Sequence, residues 1–297
     1  MIRFFGFAFA LATLLLSTTV RAELPPLIPR KVLFGNPTKA APLISPDGKR
    51  LAFLAPDKNE VLQVWVQTIG KDDAKQVTAD KKRGIRQHLW TYAPDVLLYM
   101  QDNDGDENYH LYSVDLKEDV VRDLTPFQGV RAEPIDLNAE HPNEILVGLN
   151  IKDRRWHDVY RIDLTTWAVV LDTKNPGDVQ SWIADANMQV RCAVAALRDG
   201  GLEVRVRAGN KSEWKEIRTW EPDESDCRVL GFNKDGTGLW LLEGFGNDTL
   251  RLDLVNLDGS EKPIGGPSGV DMGTVLFTQL NALRWHTPPT ATRLHGT

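Results

Sequence analysis

Only two cysteines occur in 297 residues, so the chain is no disulfide-stapled scaffold. Cys192 and Cys227 leave two readings open, a single bridge or two buried free thiols. Histidine is sparse as well. The six, at 88, 110, 141, 157, 286 and 295, show no metal-ligand spacing, and no cofactor signature accompanies them. Neither a metal nor a cofactor is therefore expected. No basic stripe runs along the chain, whose formal charge is −6. This disfavours nucleic acid and anionic membrane as partners. Sustained 3.6-residue periodicity is missing, which excludes helix-pair solenoids. The serines near glycine read "GNKSEW", "DGSEK" and "GPSGV". None forms the Gly-x-Ser-x-Gly elbow of an α/β-hydrolase nucleophile.

One long apolar run is present, "FFGFAFALATLLLSTTV" at residues 4–20. It follows a short basic start and precedes Val20-Arg21-Ala22, the layout of a signal peptide cleaved after Ala22. Residues 1–22 are thus expected to be removed, and 23–37 to form an N-terminal linker. Cleavage takes away Arg3 and Arg21 and no acid, which moves the charge from −6 to −8. Glu23, not a cysteine, directly follows the cleavage site, and no second run of 18 apolar residues appears. The expected location is periplasmic or extracellular, with no membrane attachment after cleavage.

The rest of the chain repeats. Alternating segments begin at "VWVQTI" (Val64), "LYSVDL" (Leu111), "VYRIDL" (Val159), "VRVRA" (Val204) and "LRLDLV" (Leu250), with steps of 47, 48, 45 and 46 residues. A second series centres on Val77, Leu124, Leu171, Ile217 and Ile264, with steps of 47, 47, 46 and 47. Turn segments such as "SPDGK" and "NKDGTG" keep the same beat. Period-2 alternation within a repeat near 47 residues is the pattern of a β-propeller blade of four antiparallel strands, a to d. The blades are placed at about 38–82, 83–128, 129–175, 176–222 and 223–266, with part of a sixth at 267–277 and an irregular tail at 278–297. Trp65, Trp90, Trp156, Trp167, Trp182 and Trp240 are expected to fill the space between blades.

Two b–c hairpin tips carry charge. "DNDGDEN" (102–108) fails as an EF-hand loop, because Gly105 at position 6 puts Met100 at position 1 and Leu111 at position 12. An acidic turn is the preferred reading, with a calcium loop of Asp102, Asp104, Asp106 and Glu107 as the rival. In unit three, "KDRRWHD" offers Arg154 and Arg155, which could meet a substrate carboxylate or a partner domain. "KDDAKQVTADKKR" (71–83) reads as a solvated charge run at a blade junction.

Units reading "ISPDGKRLAFLAPDKNEVLQVWVQTIG", then "QDNDGDENYHLYSVDL" closing on "VRDLTPF", resemble the N-terminal propeller of the prolyl oligopeptidase family of serine peptidases. The acylaminoacyl-peptidase-like branch is the nearest. The resemblance covers residues 30–280. It implies an all-β propeller that gates peptide access to an α/β-hydrolase domain, and a seven-blade ring of which this chain holds five blades and a fraction. It assigns no catalytic residue here, because no stretch matches the nucleophile elbow. The chain is therefore expected to be inactive alone and truncated before the catalytic domain. Its expected partners are a peptide substrate and an α/β-hydrolase domain. On an open ring, Leu51, Phe53, Val64, Trp240 and Leu242 would be exposed and would favour self-association. A stand-alone periplasmic scaffold propeller is the alternative. A hydrolase using the central channel ranks last, since the a strands hold few acids or histidines.

Overall fold

The computed structural model describes residues 26–224, 226–244, 249–266, 269–277 and 283–285. It divides into a unit ending at Asn36 and a second beginning at Pro37. The described part of the first holds one short helix, α1 (Arg30–Phe34), which starts after Pro29 and buries none of its residues. The signal segment lies outside the described residues. Among the described residues no helix is long and apolar enough to cross a membrane.

The second unit contains five four-stranded antiparallel sheets, each in the order a-b-c-d. Blade one is β1 (Ala40–Ile44), β2 (Arg50–Pro56), β3 (Leu62–Thr68) and β4 (Lys75–Gln76). Blade two is β5 (Gln87–Trp90), β6 (Val96–Gln101), β7 (His110–Asp115) and β8 (Val120–Asp123). Blade three is β9 (Ala132–Asn138), β10 (His141–Asp153), β11 (Trp156–Asp163) and β12 (Val169–Thr173). Blade four is β13 (Val179–Ala184), β14 (Val190–Ala196), β15 (Leu202–Val206) and β16 (Lys215–Trp220). Blade five is β17 (Arg228–Phe232), β18 (Gly238–Glu243), β19 (Arg251–Asn256) and β20 (Glu261–Gly265). The fold is a β-propeller.

Local chemistry sets the turns. In the first a–b turn Gly48 takes φ 72°, a conformation that costs a Cβ-bearing residue. Asp47 accepts from the Ser45 hydroxyl at 2.6 Å and from the Lys49 amide at 3.2 Å. Blade five repeats the device: Gly236 has φ 64°, and Asn233 accepts from the Thr237 amide at 2.9 Å.

The b strands are the heart of each blade. "AFLA", "LLYM" and "ILVGLN" are buried almost without alternation. In blades two to four a b strand has a neighbouring blade on both faces, so both sets of side chains need to be apolar. The core accordingly lies between blades. One cluster joins blades one and two through Ala52, Val64, Ile85 and Leu97. The next joins two and three through Leu98, Leu111, Val130 and Ile145. A third joins three and four through Leu146, Val159, Met188 and Val190, and a fourth joins four and five through Cys192, Trp220, Cys227 and Leu239.

Three expectations need correction. The tail is not wholly irregular: β21 (Val275–Phe277) pairs with β22 (Leu283–Trp285), so the sixth unit has a second strand. The edge residues expected to be exposed are not. Phe53 is 2% exposed and Val64 and Leu242 are fully buried, while Leu51 and Trp240 are half-buried. Val64 faces blade two, Lys39 sits 4.6 Å from the Phe53 ring centre, and Met272 and Val275 pack on Leu242. The side chains on which self-association was argued are thus largely covered. Of the six tryptophans assigned to the core, Trp182 is buried, but Trp167 is exposed with the Arg122 guanidinium 3.6 Å from its ring. Trp220, outside that group, is the fully buried one.

Candidate functional site

The a strands touch across three of the four blade junctions, β1 against β5, β9 against β13 and β13 against β17. The Trp90 indole N–H also donates to the Leu43 carbonyl at 3.0 Å. The a strands therefore lie on the axial side, and the d strands form the outer edge. Four antiparallel strands per blade make the chain enter and leave each blade at one face. That face carries the d–a linkers and the b–c hairpin tips, and is called the linker face below.

In blades two and three the b–c hairpin tip is tied to the linker that leads into its own blade, and in blade four strand β15 is tied to it. In blade two the acidic loop receives Lys82, whose Nζ is 2.9 Å from Asp104 Oδ2. The Arg83 guanidinium lies over Gly105, where an added Cβ would approach it to 2.8 Å. The basic end of the charge run is thus the loop's counterpart. In blade three Arg154 donates to the carbonyls of Gly129 and Gln128, the latter at 3.1 Å. In blade four Arg205 Nη1 meets Asp178 Oδ2 at 2.9 Å.

These ties account for the residues singled out from sequence. Asp102 accepts from the Glu107 amide at 3.3 Å, and Asp106 from the Asn103 and Asn108 amides at 3.2 and 3.1 Å. Positive φ at Asp104, Gly105 and Glu107 lets the chain fold back on itself. Asp102, Asp104 and Asp106 therefore point at N–H groups or Lys82, as in a self-capped turn. Arg154 is spent on the linker. Arg155 turns its fork onto Asp153 at 3.0 and 2.7 Å, and this interaction first of all lowers the Asp153 pKa to about 2. Cys192 and Cys227 are free thiols, both buried in the cluster between blades four and five. Burial raises both thiol pKa values, so neither is poised as a nucleophile.

A cavity of about 320 Å³ opens at the axial side of blades two and three, lined by Arg86, Gln87, Met100, Tyr109, Arg131 and Glu133 among others. Arg131 Nε ion-pairs with Glu133 Oε1 at 3.2 Å, and Glu133 Oε2 is 3.8 Å from His157 Nδ1. Gly148 makes room for this histidine, since a Cβ there would come within 3.1 Å of the His157 Cβ. Burial keeps the His157 pKa below the usual histidine range, against the pull of Glu133.

The sequence reading missed this cavity, although a signal was present. Each linker ends in a buried apolar plug followed by an exposed polar residue: Ile85-Arg86, Val130-Arg131, Val179-Gln180 and Cys227-Arg228. The plugs occupy the four inter-blade clusters in turn. The residues after them sit at the start of the a strands, Arg86 and Arg131 one position before β5 and β9, Gln180 second in β13 and Arg228 first in β17.

No protein-family model matches the chain. It is 38% identical over 240 residues to dipeptidyl aminopeptidase BIII of Pseudoxanthomonas mexicana, covering 80% of this chain and 34% of that protein. The chain is a propeller of the prolyl oligopeptidase family. Dipeptidyl peptidase family member 6 of Caenorhabditis elegans is 27% identical over 252 residues, again 80% of this chain and 34% of that one. The propeller thus spans about a third of the length of the curated relatives it matches. In fold it is similar to a prolyl endopeptidase, with a TM-score of 0.57 at 14% identity over 76% of this chain and 34% of that structure. The region corresponds to the propeller portion of a peptidase.

Proposed function

We propose that this propeller is the substrate-gating portion of an exported serine peptidase, and that its linker face seats an α/β-hydrolase domain. The observation that carries the reading is the 38% identity to a dipeptidyl aminopeptidase of which the matched region is 34%. The topology supports the choice of face. The chain enters and leaves every blade there, so a domain joined to either end of the propeller in a longer relative begins at that side. The hairpin-to-linker ties support it further, because a docking surface gains when its loops are held before the partner arrives. Export rests on the apolar run and Ala22.

In this role the propeller performs no bond chemistry. It limits which peptides reach the hydrolase domain through the axial opening and the linker face. Two experiments test the reading. Expressed with its leader in a Gram-negative host, the chain should be recovered from the periplasm with Glu23 at its N-terminus. Retention of Met1 in the cytoplasm would sink export. Mixed with the hydrolase domain of the Pseudoxanthomonas relative, it should show slower amide exchange at the linker-face tips 102–108 and 153–156. Protection confined to the opposite turns, such as 45–49, would reject the docking face.

A further inference from the structure

The arginines that follow the linker plugs recur at one structural position. Arg86 and Arg131 stand 45 residues apart, each after a positive-φ glycine and a buried β-branched residue: Gly84-Ile85-Arg86 and Gly129-Val130-Arg131. The two linkers are superimposable in chemistry, so adjacent blades deliver their guanidinium groups to one cavity. Arg228 also follows a buried plug, Cys227, and is the first residue of the blade-five a strand. Its Nη2 donates to the Gly273 carbonyl at 2.6 Å, which leaves the first two as the pair open to a ligand.

The local charge is positive although the chain is acidic. Two guanidinium groups face one carboxylate, Glu133, and Arg131 engages that carboxylate through Nε. Among the described residues Arg86 makes no hydrogen bond or ion pair, and neither do the side chain of Gln87 and the hydroxyl of Tyr109. The cavity therefore offers Arg86, the terminal nitrogens of Arg131, an amide and a phenol around about 320 Å³. This donor set suits a planar, bidentate acceptor. Met100 lines the same space and supplies an apolar wall for the chain that carries the acceptor.

We propose that this cavity is a subsite for a peptide carboxylate, held between Arg86 and Arg131 at the axial mouth of the linker face. The proposal deepens the gating reading and rests on it for the choice of a peptide as ligand. The carboxylate could belong to a C-terminus or to an acidic side chain, and the test separates the two.

The chain is titrated calorimetrically with N-acetyl-trialanine bearing a free carboxylate, with the same peptide as its C-terminal amide, and with N-acetyl-Ala-Glu-Ala amide. The acid is expected to bind roughly tenfold more tightly than the neutral amide, the scale of a charge-assisted hydrogen bond. Binding should weaken as salt is raised. A glutamyl amide that matches the acid assigns the subsite to acidic side chains, and one that binds like the neutral amide assigns it to C-termini. Arg86→Gln should remove most of the preference, with the melting temperature unchanged because Arg86 has no described partner to lose. Arg131→Gln should do the same, and if it fails to fold, Arg86→Gln decides alone. Equal affinity for acid and amide would overturn the carboxylate subsite while leaving a peptide-facing gate. No binding of either acidic peptide, or an Arg86→Gln protein with its preference intact, would overturn it too. The docking of a hydrolase domain is read independently by amide exchange.

Discussion

Changing Glu243 to alanine should be among the most damaging single substitutions in the chain. Glu243 ends β18 in blade five and is 1% exposed. It reaches across the junction to β16 of blade four, where Trp220 Nε1 donates to Oε2 at 2.8 Å and Arg218 Nη2 to Oε1 at 2.9 Å. Arg218 Nη2 is also 3.0 Å from Glu261 Oε1 on β20. Burial raises the Glu243 pKa, against the pull of Trp220 and Arg218. Forming such a buried pair costs desolvation, and removing one partner strands the other's charge. Glu243→Ala leaves the buried guanidinium and the buried indole N–H without this acceptor. The cost of breaking such a pair is about 3–5 kcal/mol, a large share of the roughly 5–15 kcal/mol that holds a domain together. Glu243→Gln keeps one neutral acceptor and should cost about 1–2 kcal/mol. The double change Arg218→Met with Glu243→Leu removes both charges and should be less harmful than Glu243→Ala alone, with a coupling of about 2 kcal/mol or more. Urea unfolding followed by tryptophan fluorescence measures each, provided the slope with denaturant stays constant. A Glu243→Ala protein within about 1 kcal/mol of the parent, or strictly additive single changes, would refute the reasoning.

Three further outcomes are expected. Burial first, then the neighbouring Asp185, raises the Asp136 pKa to about 6. The stability from this raised pKa is full below the unfolded value near 4 and lost as pH climbs through about 6. Asp136→Asn should thus gain about 1–2 kcal/mol over the parent at pH 8 and little at pH 4.5, after discounting for partial exposure; an equal shift at both pH values would argue against a buried ionisation. Burial lowers the His88 pKa against a backbone hydrogen bond with Ala52, and His88 Nε2 is buried without a hydrogen-bond partner among the described residues. Stability linked to it holds above about pH 6.5 and falls as pH drops through the lower folded value. His88→Leu should therefore narrow the gap in melting temperature between pH 7.5 and 5, and an unchanged gap would clear His88 of the role. Arg154→Ala loses its bonds to the Gln128 and Gly129 carbonyls. It should cost under about 1 kcal/mol globally yet speed amide exchange in the linker at 128–131, whereas unaltered exchange there would show that the tie is idle.

The fold was legible because its information is local and repeated. Alternation in "LYSVDL", the Asp-Gly and Lys-Asp-Gly turns and the 47-residue beat each depend on residues close in sequence. What the blades do to one another was not legible. Nothing near Trp220 announces Glu243, 23 residues later and on another sheet. The acidity of "DNDGDEN" reads as a metal loop or a solvated turn until Lys82 and Arg83 are seen to meet it. The tryptophan assignment erred for the same reason, since Trp167 and Trp220 both follow a threonine in sequence but one sits exposed between strands and the other ends a strand buried between blades. The cavity arginines lie between these cases. Their recurrence after Ile85 and Val130 is in the sequence, but its meaning depends on the a strands converging at the axis.

The central claim is that this propeller gates a hydrolase domain, and a chimera tests it most directly. Residues 40–265 of this chain would replace the matching segment of the Pseudoxanthomonas dipeptidyl aminopeptidase. Cleavage of a dipeptidyl nitroanilide would then be compared with cleavage of an unfolded protein of over a hundred residues. The account predicts that the chimera turns over the dipeptidyl substrate and spares the long chain. A folded chimera that degrades both at similar rates would contradict it.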